Sequence, residues 1–204
     1  MKVKAKAHSE KMGRPRSFDA EKALHSAMRV FREKGYEGAS LTDLTKAMGI
    51  NRPSMYAAFG DKESLFHKVL ERYSSGVGIH LQQALSRKTA REVAEQLLYG
   101  AAEMQTSTNS PRGCLLTTGA LVCSDESDSV RRELTSLRRQ NELAIRGRMK
   151  RAQAEGDLPA DCNPSDLARY LTTIMQGMSI LATGGASRAE LKRVVETALC
   201  AWPK

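Results

Sequence analysis

A short segment between positions 51 and 57 contains side chains suited to reading DNA bases. Arg52 can engage O6 and N7 of a guanine with its guanidinium fork, or it can contact a phosphate instead. Asn51 and Ser54 can donate and accept hydrogen bonds, and Ala57 can contact a thymine methyl group. The segment therefore has the chemistry of a helix that reads the major groove, provided that these residues share one helical face.

Helix-capping residues and helical spacing of apolar residues predict an all-α chain around this segment. Ser40 followed by Asp43 is a capping pair, and Gly49 supplies a turn before the helix that Asn51 caps. A preceding helix with one apolar face would pack behind this pair. About nine helices are predicted, at 20–34, 41–48, 52–59, 62–86, 90–105, 114–123, 129–155, 164–183 and 188–202.

Positive charge is concentrated at the start of the chain. The formal net charge is +9, and residues 1–62 hold 13 Lys+Arg against 7 Asp+Glu. A basic segment ahead of a compact domain is typical of proteins that bind polyanions, although a solvated tail has the same composition. We therefore divide the chain into a basic flexible arm (1–12), a three-helix helix-turn-helix DNA-binding domain (13–62) and a larger C-terminal helical bundle (63–204).

Motifs spread over residues 16–66 are more specific than the helix pattern. They are Ala27–Phe31, Gly35-Tyr36, Ser40–Leu44, Met48–Ile50 and Ser54–Leu65, and Arg112–Leu116 adds a further match. Together these motifs resemble the TetR (tetracycline-repressor) family of bacterial regulators, in which an aromatic pair followed by a lysine is close to a signature. The resemblance implies a transcriptional regulator, most simply a repressor, that binds a palindromic operator in double-stranded DNA. An activator would have the same sequence features.

The resemblance also implies which residues contact DNA. Tyr56 and Lys62 match phosphate-contacting residues, and Lys62 opens a helix whose dipole favours anions. Ser40 is expected to touch phosphate or to act only as a cap. Arg14 and Arg16 would lie in the minor groove, or belong to a tail that attracts DNA nonspecifically. The predicted contacts are Arg14, Arg16, Ser40, Thr42, Asn51, Arg52, Pro53, Ser54, Tyr56, Ala57 and Lys62.

By the same resemblance, the larger domain senses a ligand, and its last two helices pair across a two-fold axis to form a homodimer. Apolar stripes on both helices are consistent with this arrangement, although burial within one subunit would give the same stripes. The predicted interface consists of Tyr170, Ile174, Gly177, Met178, Leu191, Val194, Val195, Ala198 and Trp202.

A pocket for a small-molecule effector of unknown class is predicted between the fourth and eighth helices. Binding there would favour a conformer in which the fourth helix moves the DNA-binding domains out of register, so ligand and DNA oppose each other. The alternative for each residue is an ordinary core position. The predicted lining is Leu97, Leu98, Ala101, Met104, Leu116, Thr117, Ala120, Leu121, Leu137, Asn141 and Met175.

Two other functions were weighed against a ligand-released repressor. Cys114 or Cys123 could make a thiol-based redox or electrophile sensor, although the two lie about 13 Å apart along a helix and could not bond without local unfolding. A nonspecific DNA-packing protein would explain the basic arm but not the large apolar domain.

The composition argues against several further classes. No nucleotide-binding loop or catalytic constellation is present, so we predict no enzyme activity and no cofactor. The cysteines and histidines are not clustered as zinc ligands, so we predict no metal. No apolar run is long enough for a membrane span, and a cytoplasmic protein without a membrane partner is expected.

Overall fold

The computed structural model describes residues 18–119 and 127–203, which form nine α-helices and no strand. The predicted all-α class is confirmed. The predicted basic arm (1–12) and the predicted DNA contacts Arg14 and Arg16 lie outside the described residues. The helices are α1 (Ala20–Gly38), α2 (Leu41–Met48), α3 (Arg52–Phe59), α4 (Lys62–Leu85), α5 (Ala90–Gln105), α6 (Leu115–Thr118), α7 (Asp128–Ala154), α8 (Pro164–Thr183) and α9 (Arg188–Cys200).

An aromatic centre holds the first four helices together. Phe31 of α1 and Phe66 of α4 meet edge to face with ring centroids 4.8 Å apart, and Tyr36 lies 5.0 Å from Phe66. Both phenylalanines are fully buried, so their packing fixes α1 against α4. Helices α2 and α3 have eight residues each and depend on this core, because isolated helices of that length are marginal in water.

α1 is interrupted where the sequence predicts the end of the helix. Gly35 has the non-helical angles φ 70° and ψ 178°, and a short helical segment follows it as far as Gly38. The regular helix therefore stops at Gly35 as predicted, and α1 includes a short segment beyond the kink. Burial of Tyr36, which is 8% exposed, holds the residues beyond the kink against the aromatic centre.

α4 passes between two hydrophobic clusters. The N-terminal cluster joins α1–α3 and the first half of α4 to α6 and the start of α7. The C-terminal cluster joins the end of α4 to α5, α8, α9 and the rest of α7. Because α4 and α7 contribute to both clusters, a movement in one cluster can reach the other through either helix. From α4, Leu65, Phe66, Val69 and Leu70 belong to the first cluster, and Leu81, Ala84 and Leu85 to the second.

The remaining helix boundaries agree with the predictions to within a few residues, except at α6. A helix over 114–123 was predicted, whereas α6 spans Leu115–Thr118 and residues 120–126 lie outside the described part. The predicted pocket residues Ala120 and Leu121, and Cys123, fall in that gap. α8 begins at Pro164 and ends at Thr183, directly before Gly184 and Gly185, as predicted.

Candidate nucleic-acid interface and internal cavity

α2 begins with the predicted capping pair. Ser40 Oγ accepts a hydrogen bond from Asp43 N at 3.0 Å, and Asp43 Oδ2 accepts one from Ser40 N at 3.2 Å. The Lys34 ammonium, 2.9 Å from the carboxylate, and the Ser40 hydroxyl hold the pKa of Asp43 at about 2, below the ordinary 3.8. The start of α2 is therefore fixed on two sides, and Thr42 is exposed beside it.

α3 presents one face to solvent and buries the other. Met55 and Phe59 are buried among the helices behind it, so the intervening residues point outwards. Asn51 caps the helix, since its Oδ1 accepts a hydrogen bond from Ser54 N at 2.9 Å. Of the predicted contacts on α3, Ser54 is half-buried and the others are exposed: Asn51, Arg52, Pro53, Tyr56 and Ala57.

Arg52 connects the two short helices on this exposed face. Its Nη2 donates a hydrogen bond to Thr42 Oγ1 at 3.0 Å. Both side chains are exposed, so the guanidinium can exchange this neutral hydroxyl for a base edge or a phosphate. The sequence assigned Arg52 and Thr42 to different contacts, and only the fold brings them together.

Lys62 lies at the first position of α4, directly after the Asp61 cap. Its ammonium lies 4.5 Å from the centroid of the Tyr36 ring. Partial burial lowers the pKa of Lys62, and the nearby Glu37 carboxylate opposes that shift. Packing on Tyr36 holds the cation near the N-terminus of α4, where anions are favoured. Tyr56, 47% exposed, lies on the neighbouring α3.

Lys68 has a structural role that sequence reasoning missed. Its Nζ donates hydrogen bonds to the carbonyl oxygens of Ala58 at 3.5 Å and Phe59 at 3.2 Å. These are terminal carbonyls of α3, which lack helical partners, so Lys68 ties the end of α3 to α4. No spacing rule marks this lysine, because the contact joins two helices across a turn.

A cavity of about 1140 Å³ opens beside α1 and α4 and extends to α5, α6, α7 and α8. This is slightly above the volume of about 300–1,000 Å³ that is common for small-molecule sites. Of the predicted lining, the structure places Leu97, Ala101, Met104, Leu116, Thr117, Asn141 and Met175 on its wall.

Two predicted lining residues do not reach this cavity. Leu98 is fully buried in the C-terminal cluster, and Leu137 packs against the N-terminal cluster. Both follow the apolar periodicity of their helices, but each packs in a hydrophobic cluster and does not line the cavity. Periodicity identifies a buried face without showing which neighbour covers it.

Polar contacts surround α6 at one side of the cavity. Tyr73 OH donates a hydrogen bond to Cys114 Sγ at 3.3 Å and accepts one from Leu115 N at 3.3 Å. Burial raises the pKa of the Tyr73 hydroxyl, and the adjacent Cys114 thiol raises it further, so Tyr73 stays a donor. No sequence pattern predicts this pair, because the two residues are 41 positions apart.

The apolar stripes of α8 and α9 divide between the protomer's own core and its surface. Five predicted interface residues are buried within the protomer: Met178, Leu191, Val195, Ala198 and Trp202. Tyr170 OH donates to Ala198 O at 2.7 Å, which also joins α8 to α9. Gly177 is exposed and Ile174 and Val194 are half-buried, while Ile180 and Leu181 are 50% and 49% exposed.

The described residues also bear on membrane and metal sites. None of the helices in the described part is long and apolar enough to cross a membrane. Within residues 18–119 and 127–203, no group of three or more His, Cys, Asp or Glu side chains is placed to hold a metal ion.

Comparison with known proteins assigns both parts of the chain. Residues 23–69 match the family model for bacterial regulatory proteins of the tetR family, and residues 81–198 match the tetracyclin repressor-like C-terminal domain. The HTH-type transcriptional repressor ComR of Escherichia coli is 34% identical over 194 residues, covering 94% of this chain and 92% of ComR.

Solved structures give the same assignment. A cysteine mutant of the TetR family regulator CifR, in complex with a 26-base-pair operator, is 44% identical with a TM-score of 0.89, covering 93% of this chain and 100% of that one. A TetR regulator from Rhodococcus sp. RHA1 is 41% identical with a TM-score of 0.62, covering 91% and 100%. The protein belongs to the TetR family of bacterial transcriptional regulators.

Proposed function

We propose that this protein is a repressor that binds a palindromic operator as a homodimer and is released by a small molecule. The observation that carries the proposal is the exposed face of α3, where Asn51, Arg52, Tyr56 and Ala57 project from a helix buried on its other side. That face offers hydrogen-bonding and methyl-contacting groups at helical spacing. A cysteine mutant of CifR, which is similar over nearly the whole chain, has a solved structure in complex with double-stranded operator DNA.

The proposed DNA contacts separate into two kinds. Arg52, with Asn51 and Ala57, reads base edges, whereas Tyr56 and Lys62 contact phosphates and set the register of α3 in the groove. Ser40 and Thr42 add contacts from the start of α2. Because the target is bacterial DNA, we place the regulator in the cytoplasm.

A homodimer is the assembly that a palindromic operator requires, and homodimers are typical of this family. We propose that the interface is formed by the surface of α8 and α9 that the protomer leaves uncovered. It includes Ile180 and Leu181, with Ile174, Gly177 and Val194 beside them. Burying two half-exposed leucine-sized side chains on each protomer would contribute to a stable pair.

Release by ligand is supported by the cavity. It is bounded by α1 and α4 on one side and by α5–α8 on the other, so an occupant would touch elements of both hydrophobic clusters. An effector that prefers the conformer with low affinity for DNA weakens DNA binding. By thermodynamic linkage, DNA weakens the binding of the effector by the same coupling free energy.

The experiment that tests this function is the selection of preferred duplexes from a random pool, followed by binding titrations of the full chain at about 50 and 200 mM salt. Recovery of a palindrome bound much more tightly than random DNA is the expected result. Uniform, salt-sensitive binding without an enriched site would indicate a nonspecific DNA-packing protein instead.

A matched pair of variants ties the result to α3. Arg52→Ala should change the preferred base at particular positions of the recovered site. Lys150→Ala removes an exposed charge from α7, away from α3, and should leave the selected sequence unchanged. An unchanged preference in Arg52→Ala would contradict the assignment of Arg52 to base reading.

A further inference from the structure

Two arginines from different parts of the fold hydrogen-bond to α6 and the residues just before it. Arg32 of α1 donates from Nη1 to Ser110 Oγ at 2.8 Å and from Nη2 to Gly113 O at 2.9 Å. Arg138 of α7 donates from Nη1 to Leu116 O at 2.7 Å. Both arginines also line the cavity, so their charges lie next to the space that a ligand would fill.

In the described part of the chain, neither arginine is paired with a carboxylate. Their hydrogen-bond partners are neutral hydroxyl and carbonyl groups. Arg32 also lies over the Tyr73 ring, 5.6 Å from its centroid, and its Nε is buried without any hydrogen-bond partner. A guanidinium stays charged in proteins, and a partly buried charge is stabilised most by an opposite charge. Within the described residues, no carboxylate therefore neutralises either guanidinium.

The other charged side chains of the cavity do not neutralise Arg32 and Arg138. Four Lys and Arg side chains line it, against two Glu. Of the two acids, Glu21 is paired with Arg72, at 2.5 Å, and Glu71 is exposed on α4. Lys68 is occupied by the carbonyl oxygens at the end of α3. The described wall thus has a surplus of positive charge.

The rest of the wall is largely apolar. Leu97 and Ala101 of α5, Leu116 of α6, Ile145 of α7 and Met175 of α8 all contribute. Asn141 lies three residues after Arg138 on α7, on the same helical face, and adds a hydrogen-bond donor near it. Apolar walls with a few convergent polar groups are the usual composition of a small-molecule site.

We propose that the effector is a small amphiphilic carboxylate whose acid group binds Arg32 and Arg138 and whose apolar part lies along this wall. The inference rests on the proposed release of DNA by a ligand in this cavity, and it adds the chemical class of that ligand. A carboxylate accepts stronger hydrogen bonds from guanidinium groups than the carbonyl and hydroxyl oxygens that now hold them.

The same contacts explain how an acid would affect DNA binding. The segment before α6 is fixed to α8, because Cys114 N donates to Ser179 Oγ at 2.8 Å and Arg112 Nε donates to Ala182 O at 3.0 Å. Arg32 is a direct link from this segment to α1 of the DNA-binding region. A carboxylate that draws Arg32 away from Ser110 and Gly113 loosens α1 from the larger domain and shifts the position of α3.

Gly113, whose carbonyl accepts a hydrogen bond from Arg32, packs closely against α8. Gly113 has φ +82°, and a Cβ added there would lie 2.6 Å from Thr183 Cγ2. The carbonyl that accepts from Arg32 therefore belongs to a residue that packs closely against α8 and leaves no space for a side chain.

The test uses two matched sets of probes with the full-length protein. Octanoate, octan-1-ol and octylamine form one set, and 4-phenylbutyrate, 4-phenylbutan-1-ol and 4-phenylbutylamine form the other. Binding is measured without DNA as a shift in Tm, and with the selected operator as a change in fluorescence anisotropy. Carboxylates are expected to raise Tm and to release the operator, while the alcohols and amines do neither.

Three variants locate the binding group. Arg32→Gln and Arg138→Gln each remove a charge, and loss of an ion pair should weaken carboxylate binding about tenfold or more in at least one of them. Arg139→Gln removes the neighbouring exposed arginine, which does not line the cavity, and should leave carboxylate binding unchanged. Circular dichroism and Tm without ligand establish that each variant folds.

The outcomes separate this proposal from the proposed function. If neither carboxylate shifts Tm, if the alcohols or amines shift it equally, or if both arginine variants bind carboxylate as the unmodified chain does, the effector class is wrong. Operator selection can still succeed in each of those cases. Conversely, a carboxylate-dependent Tm shift without any selected operator would support the effector class and contradict the repressor.

Discussion

The DNA-facing surface and the cavity differ in how their residues are distributed along the chain. The surface is made within residues 40–62, from two short helices and the start of a third. The cavity is lined by residues from Ala20 to Gln176, on seven helices. Local capping therefore builds the first, whereas only the packing of distant helices builds the second.

This difference has a consequence for packing. The helices that carry the DNA-facing surface depend on a dense aromatic core, in which Phe31 and Phe66 are fully buried. The cavity wall leaves space between helices and holds groups such as Arg32 Nε without a partner. The proposed DNA-binding surface is thus supported by close packing, whereas the cavity keeps space and an unpartnered polar group on its wall.

The largest effect is expected from the aromatic core. Phe66→Ala should lower the free energy of unfolding by about 3–5 kcal/mol, because it removes a fully buried ring and leaves a cavity. Met104→Ala, at a partly exposed position on the cavity wall, should cost about 1 kcal/mol or less. Urea unfolding of both variants measures the two losses in free energy of unfolding. Equal losses would contradict the difference in packing between the aromatic core and the cavity wall.

The next effect concerns base reading by α3. Arg52→Ala should reduce discrimination at one base pair of the operator by about 1–3 kcal/mol while leaving affinity for random DNA nearly unchanged. Competition titrations with single-base operator variants measure this. A uniform loss across all sequences would instead assign Arg52 to phosphate.

A smaller effect is expected from the phosphate contacts. Tyr56→Phe combined with Lys62→Ala should weaken binding to operator and random DNA alike and reduce the slope of log K against log salt by about 1. The single variant Tyr56→Phe, which keeps every charge, should leave that slope unchanged. If the double variant has the same slope as the unmodified protein, Lys62 of the unmodified protein does not contact DNA and its ammonium stays packed on the Tyr36 ring.

The smallest effect concerns acid stability at the start of α2. Folding lowers the pKa of Asp43 from 3.8 to about 2, so the unfolded chain takes up the proton first as the pH falls. The stabilisation by the carboxylate is complete above the unfolded pKa and is lost as the pH falls towards 2. Asp43→Asn should therefore flatten the pH dependence of stability between about pH 4 and 2, measured by urea unfolding across that range. A pH dependence as steep as that of the unmodified chain would contradict this assignment.

Much of the DNA-binding region could be predicted because its signals lie close together in the sequence. Ser40 with Asp43, and Asn51 with Pro53, place the starts of α2 and α3 where the structure has them. Each cap satisfies backbone N–H groups two or three residues away, so no distant residue is needed to predict it. Gly35 likewise interrupts α1 where predicted, and only the short helical segment beyond it, which contains buried Tyr36, was not predicted.

The larger domain could be predicted only as a set of helices. The apolar positions of α5, α8 and α9 were recognised, but Leu98, Met178 and Trp202 are covered by the protomer's own core rather than by a ligand or a partner. Arg32 and Lys68 were missed altogether. Each makes its contacts with a different element of the fold, and no short-range pattern marks such a residue.

The sequence by itself therefore determined most of the helices and their caps, and it predicted the exposed face of α3, because those depend on neighbours within one or two helical turns. The tertiary structure alone decided which apolar faces meet, where space is left between them, and that Arg32 and Arg138 hydrogen-bond to α6 and to the residues just before it. Those features depend on contacts between residues that are distant in the sequence, such as Arg32 and Gly113, which are 81 positions apart. Helical periodicity shows that a face is buried, but only the packing of helices decides what buries it.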